Sequence, residues 1–270
     1  MRNIKDNLSQ IFAITEKNIK MSLRFKMSLI ISLVTPIFNI IMPIIILSQF
    51  FSFNAKFGPW TKDNFLVYLY LSYNIFLLSK LITTFQSEFR TEKYWKTLQA
   101  LIIAPFYRFN LLIGIFFANL IQISIPFIIF VVICFIYYPI SFITLLFVLL
   151  IFLFIALIFS GIGLIIGVFA ISNENLMMIL NFLINILIWL SCISYPYELF
   201  PPVFQNFINL NPLYYIFDIL RLTWIEDNII FTFNSHFFHF FILISFGIIM
   251  PLIGVYIFNM IYRKYGIVGY

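Results

Sequence analysis

Six stretches of this 270-residue chain are apolar over lengths that reach or exceed the roughly 20 residues an α-helix needs to cross a hydrocarbon core. None shows the period-two alternation of a barrel strand, and a segment in lipid must satisfy its own backbone hydrogen bonds. The expected fold is therefore an all-α polytopic membrane protein with six transmembrane helices. These run from about Met27 to Phe51, Phe65 to Phe85, Phe109 to Tyr137, Thr144 to Ile171, Leu176 to Ser194 and Phe237 to Tyr262. Hydrophobic residues make up 63% of the chain and charged ones 10%, so spans and turns leave no room for a soluble catalytic domain. Residues 1–270 are read as one membrane domain.

The formal charge of +6 flanks spans, which argues for membrane topology and against a nucleic-acid partner. Arg2, Lys5, Lys17, Lys20, Arg24, Lys26, Arg90, Lys93, Lys96, Arg108, Arg263 and Lys264 fall on one face of a six-span arrangement, twelve of the 16 basic residues. Lys56, Lys62 and Arg221 fall on the other, and Lys80 lies within a span. The positive-inside rule makes the first face cytoplasmic, with both termini there and the protein in the cell membrane. A polar segment precedes the first apolar run, which is too long for a signal-peptide core, so that span is expected to remain in the protein. Cys134 and Cys192 lie inside apolar runs and read as small packing residues.

Ahead of the first span, Ile4, Leu8, Ile11, Phe12, Ile19 and Leu23 recur at helical spacing, while Lys5, Asp6, Glu16, Lys17 and Lys20 fall largely on the remaining arc. Residues 1–24 should form an amphipathic helix at the membrane surface, with lipid as its partner. Pro36 and Pro43 predict a bend in the first span. Lys80 lies near the far end of the second, where its stem can carry the ammonium to the interface; snorkelling is favoured over a pathway role. Asn119 and Gln122 in the third span, and Asn181 and Asn185 in the fifth, need polar partners or a water-lined path. With Glu174, the latter two share a face that should look inward. Ala156, Ser160, Gly163 and Gly167 align on one side of the fourth span and predict close helix packing.

Residues 88–108 are a charged, then amphipathic, stretch between two spans, and residues 195–227 hold Pro196, Pro201, Pro202 and Pro212 among aromatics. In the latter, Pro202–Leu210 and Leu213–Ile225 are too short to cross, so they read as re-entrant helices between spans five and six, with proline at their first turns. Asp218 and Arg221, three residues apart, suggest a local ion pair. The turn at Tyr138–Ser141 is expected only to reverse the chain. His236 and His239 share the outer start of the last span, where solvation is the simpler reading than metal binding.

No phosphate-cradling GxxxxGK[ST] occurs, and neither do GxSxG or HExxH. Catalytic, metal and cofactor residues are therefore expected to be absent, and energy must come from elsewhere. An ion-driven secondary transporter would favour buried mid-span carboxylates or inverted repeats, and neither is seen; a membrane enzyme would need convergent catalytic side chains. A structural scaffold also stays open.

In its motifs the chain resembles the permease subunits of type-2 ABC exporters. The loop after the second span carries Glu92, Thr97-Leu98 and Ala104-Pro105, and the later segment carries Tyr195-Pro196, Glu198, Leu199 and Pro201, then Asn211-Pro212-Leu213 and Arg221. The resemblance implies that Glu92, Trp95, Thr97, Leu98, Ala104 and Pro105 form a coupling helix seated in a cytosolic ABC ATPase. It implies two such ATPases, binding ATP and Mg, and a second permease copy, identical or homologous. Pro196, Glu198, Pro201, Asn211, Pro212, Asp218 and Arg221 would build the re-entrant pair. Export of a drug-like or lipid-like amphiphile is the leading expectation, because the N-terminal basic run of glycan exporters is missing; a polysaccharide or lipid-linked glycan is the alternative.

Overall fold

A computed structural model describes residues 4–52, 57–94, 108–172 and 174–267. Among them are ten α-helices: α1 Ile4–Arg24, α2 Lys26–Ser52, α3 Phe65–Tyr94, α4 Arg108–Tyr137, α5 Phe142–Ser172, α6 Glu174–Trp189, α7 Pro202–Asn209, α8 Pro212–Glu226, α9 Ile229–Ser235 and α10 Phe237–Ile267. No strand occurs among the described residues. Helices α3, α4, α5 and α10 are each long and apolar enough to cross a membrane.

The bundle is built around α3 and α5. The apolar stretch of α3 is 67% buried, against 17% for that of α4. Gly163 and Gly167 explain how α5 comes so close: a Cβ at Gly163 would lie 2.7 Å from Ile82 Cα, and one at Gly167 would lie 2.9 Å from Phe85 O. Ala156 and Ser160, on the same stripe, are buried as well. In lipid, association depends on such close contact, because apolar surface gains little by leaving other apolar surface. On another side of α5, Gly161 meets the backbone of Met250 and Pro251 in α10. Leu71, Ile75 and Leu81 of α3, Ile155 and Phe159 of α5, and Phe217 and Trp224 of α8 share one core.

Helix α1 runs beside the first half of α4 in the same direction. Asn110 Nδ2 donates to Asn7 Oδ1 and Gln10 Oε1 at 3.1 and 2.8 Å, and Thr15 Oγ1 donates to Gly114 O at 3.2 Å. Farther on, Gln122 Nε2 donates to Ser22 Oγ at 2.8 Å. Gly114 is the contact point: a Cβ there would fall 2.6 Å from Ile14 Cγ2. Helix α2 remains helical through Pro36 and Pro43. Its final turns hold it, with Leu47 and Phe51 packed among Trp60, Tyr68 and Tyr73, while Phe38, Met42 and Ile45 are exposed.

Three boundaries differ from the sequence expectation, one of them the end of α10, which runs on from Tyr262 to Ile267. Helix α3 continues nine residues beyond Phe85, to Tyr94, so Glu88 and Arg90 extend the span's own helix. Helix α6 stops at Trp189, short of Ser194. There the backbone turns, Cys192 takes φ 55°, and the carbonyls of Cys192 and Ile193 bond to side chains from other elements in place of a continuing helix. The proline-rich segment forms a short 3-10 turn, Tyr197–Leu199, then α7 and α8, each with proline in its first turn. Asn211 caps α8, accepting from Leu213 N at 3.1 Å and donating to Leu187 O at 2.6 Å. A further short helix, α9, follows where none was expected, capped by Asn228.

Candidate functional site

Arg221, on the inner side of α8, is only 1% exposed. Its Nη1 donates to Cys192 O at 3.0 Å, and its Nη2 donates to Ser72 Oγ and to Ile193 O, both at 2.8 Å. The guanidinium carbon lies 3.8 Å from the centre of the Tyr68 ring, and the Tyr68 hydroxyl also donates to Cys192 O. A planar fork suits this work, since it satisfies several acceptors at once while stacking on an aromatic face. One residue thus ties α8 to α3 and to the end of α6.

The expected Asp218–Arg221 pair does not form. Arg221 is drawn inward by freed carbonyls, while Asp218 Oδ2 lies 3.5 Å from His239 Nε2 on α10. His236 Nε2 lies 3.3 Å from Glu226 Oε1. The two histidines are half-buried partners of α8, contrary to the solvated reading. Among the described residues no group of three or more His, Cys, Asp or Glu side chains could hold a metal ion. The Tyr138–Ser141 turn also does more than reverse direction: Tyr138 O accepts from Trp224 Nε1 at 3.1 Å, and Ser141 N donates to Asp227 Oδ1 at 2.9 Å.

Two clefts open on one face of α3. At the α1 end, Asn18, Ser22, Thr83, Thr84, Ser87, Glu88, Asn119 and Gln122 line a polar cleft of about 390 Å³. Asn18 is 5% exposed, and its Oδ1 has no hydrogen-bond partner. Asn119 Nδ2 is turned to its own helix, donating to Ile115 O at 2.8 Å. Toward the proline-rich end, Phe76, Asn185, Trp189, Ser194, Tyr195 and Phe200 border a second cleft of about 270 Å³. Phe76 and Thr83 are seven residues apart, so both clefts address the same side of α3 at a spacing of about 10 Å.

Between them lies Lys80, and the snorkelling expectation fails. Its side chain is half-buried, yet its ammonium is closed off and has no hydrogen-bond partner. The α6 face also departs from expectation: Asn181 is half-buried and Asn185 exposed, because α6 rests on α5 at the edge of the bundle.

Comparison with known families now decides the class, since the sequence profile described as ABC-2 type transporter matches residues 9–224. The chain belongs to the ABC-2 type transporter family. It is a multi-pass membrane protein and an ABC transporter permease subunit, a kind of chain whose family implies an ABC ATPase partner. No curated protein matches the chain. In this ABC-2 permease the match takes in α1 from Ser9 onward, both clefts, Lys80 and Arg221. Of the residues expected to couple to an ATPase, Glu92 falls on the last turn of α3. Trp95, Thr97, Leu98, Ala104 and Pro105 lie outside the described residues.

Sequence reasoning missed Ser72, Tyr68 and the two carbonyls around Arg221. Ser72 and Tyr68 are four apart on an otherwise apolar helix, a spacing that places both on one side. The unwinding at Cys192 left no comparable signal.

Proposed function

We propose that this ABC-2 permease forms the membrane passage of an ATP-driven exporter for a drug-like or lipid-like amphiphile, in the cell membrane with both termini cytoplasmic. Two cytosolic ATPase subunits, each using ATP and Mg, grip residues 88–108, with Glu92, Trp95, Thr97, Leu98, Ala104 and Pro105 in the contact. ATP binding draws the ATPases together, and the motion reaches the spans through α3, which continues unbroken from the core to Tyr94. A second permease copy, identical or homologous, completes the passage. Placed against the edge helix α6, it would take the amides of Asn181 and Asn185 out of lipid, where an unpartnered amide is costly.

The observation that carries this reading is the single face of α3 on which a polar cleft and an aromatic-lined cleft both open, in a chain of this family. A molecule with a polar head and an apolar body suits such a surface. The α1-end cleft lies on the side where the basic residues gather, consistent with loading from the cytoplasm.

The test is co-purification. The tagged chain, taken from its native membrane, should bring down an ABC ATPase, and Leu98→Asp should lose that ATPase while the permease still elutes as a folded, monodisperse protein. Retention of the ATPase by L98D, or transport by the permease alone in liposomes without ATP, overturns the proposal. Coupling also requires that cargo alter ATP turnover, since linkage is reciprocal.

A further inference from the structure

We propose that Lys80 is the binding cation for an anionic headgroup, a phosphate or carboxylate carried by an amphiphile, held on α3 between the two clefts. The inference rests on the permease reading above and names the chemistry of its cargo.

Lys80 is a basic residue within a span, and its ammonium is buried with no hydrogen-bond partner. Among the described residues no hydrogen-bond partner reaches that ammonium. Glu16, Glu226 and Asp218 each face a partner other than Lys80. Glu88, the next acidic residue on that face of α3, is eight residues on, roughly 12 Å along the axis. The neighbouring hydroxyls are neutral and turned to their own backbone. Ser79 Oγ donates to Phe76 O at 2.8 Å, Thr83 and Thr84 both donate to Lys80 O at 2.9 Å, and Ser87 donates to Thr84 O at 2.9 Å. They present lone pairs and no charge.

An isolated cation inside a membrane is costly, and such residues pair within the bundle or serve a pathway. The bundle shows that it can furnish partners for a cation, as it does at both terminal nitrogens of Arg221, yet the Lys80 ammonium receives none. An anionic oxygen group is the fitting partner, because charge-assisted bonds to phosphate or carboxylate are short and strong. The surroundings fit the rest of an amphiphile. Along α3, Phe76 of the aromatic-lined cleft comes four residues before Lys80, and Thr83 and Thr84 of the polar cleft come three and four residues after it.

The measurement is equilibrium binding of radiolabelled octyl phosphate to the full chain in phosphatidylcholine nanodiscs, with empty discs as the blank. Wild type should bind saturably, Lys80→Met at least tenfold more weakly, and Lys80→Arg within about threefold of wild type. Octyl trimethylammonium should not compete. Inorganic phosphate added as competitor separates two sources of the same chemistry: displacement at similar concentrations assigns the site to a free oxyanion, and failure to displace assigns it to an amphiphile. Removing a charge from a span eases insertion, and the arginine variant keeps the charge, so misfolding does not mimic the expected pattern. Equal binding by wild type and K80M, or no binding above empty discs, overturns the inference while leaving ATPase association untouched. Loss of the ATPase alone would overturn the permease proposal and leave this site standing.

Discussion

Arg221 and Lys80 are cations inside one helical bundle, the first ringed by two carbonyls, a hydroxyl and a tyrosine face, the second with no partner for its ammonium. The difference comes from the backbone. Helix α6 ends early, and the carbonyls of Cys192 and Ile193 are released from helical bonding. Arg221 collects them, and an otherwise awkward charge becomes a clasp between α8, α3 and α6. Around Lys80 the helix α3 is unbroken, and the neighbouring Thr83 and Thr84 hydroxyls bond back to the Lys80 carbonyl. A buried charge with partners is architecture; one without partners marks a place where something else must arrive.

The largest effect should come from breaking the clasp. Arg221→Met leaves two carbonyls with fewer donors and an unstacked tyrosine face, for a loss of roughly 2 to 4 kcal/mol in stability. Arg221→Lys should fall between, since an ammonium cannot reproduce the fork. Thermal unfolding in nanodiscs reads both, and a wild-type transition in R221M would erase the contrast. Next comes Gly163→Leu, about 1 to 3 kcal/mol destabilising, because a side chain there meets the α3 backbone at Ile82 and Leu81, which cannot rotate away. The same assay applies, and an unchanged transition would mean that α3 is not held where the Lys80 argument needs it.

Four of the six expected spans, the small-residue stripe against α3 and the proline-started helices were legible because each follows from local composition. Length and apolarity define a span, and Gly163 and Gly167 announce close approach. The match to residues 9–224 fits the motifs that pointed to this family. What could not be read were partners brought together by folding. Asp218 and Arg221 share a helix, and proximity in sequence suggested a pair, yet their true partners are at His239 and at Ser72, Cys192 and Ile193. Lys80 looked able to snorkel because its stem is long enough; whether neighbouring helices close over it is a tertiary fact.

The two cations should also respond to removal with opposite signs. Where R221M destabilises, Lys80→Met should raise stability by about 1 kcal/mol, since an uncompensated charge leaves the bundle and no acceptor is orphaned. Thermal unfolding of both variants in the same nanodiscs gives the comparison directly. A destabilised K80M would mean that the ammonium already has a protein partner, and the contrast would collapse.

The smallest effect concerns a charge handled a third way, partly by the fold and partly by water. Asp227 is exposed, in a left-handed conformation at φ 43°, and it accepts from Ser141 N just before α5 begins. Burial pushes its carboxyl up, but the Ser141 N–H and the Thr144 and Ser141 hydroxyls outweigh that and hold it below its ordinary value. A carboxyl depressed on folding adds stability above its unfolded value, and that stability is lost as pH falls through the folded one. Asp227→Asn tolerates the same backbone and loses only the charge at a helix N-terminus, so near neutral pH it should cost a few tenths to about 1 kcal/mol, screened by salt. The difference from wild type should shrink as the pH is lowered through and below the carboxylate range, because both side chains are then neutral. Unfolding followed across that range checks the sign, and a gap that stays constant would mean that Asp227 acts through hydrogen-bond geometry alone.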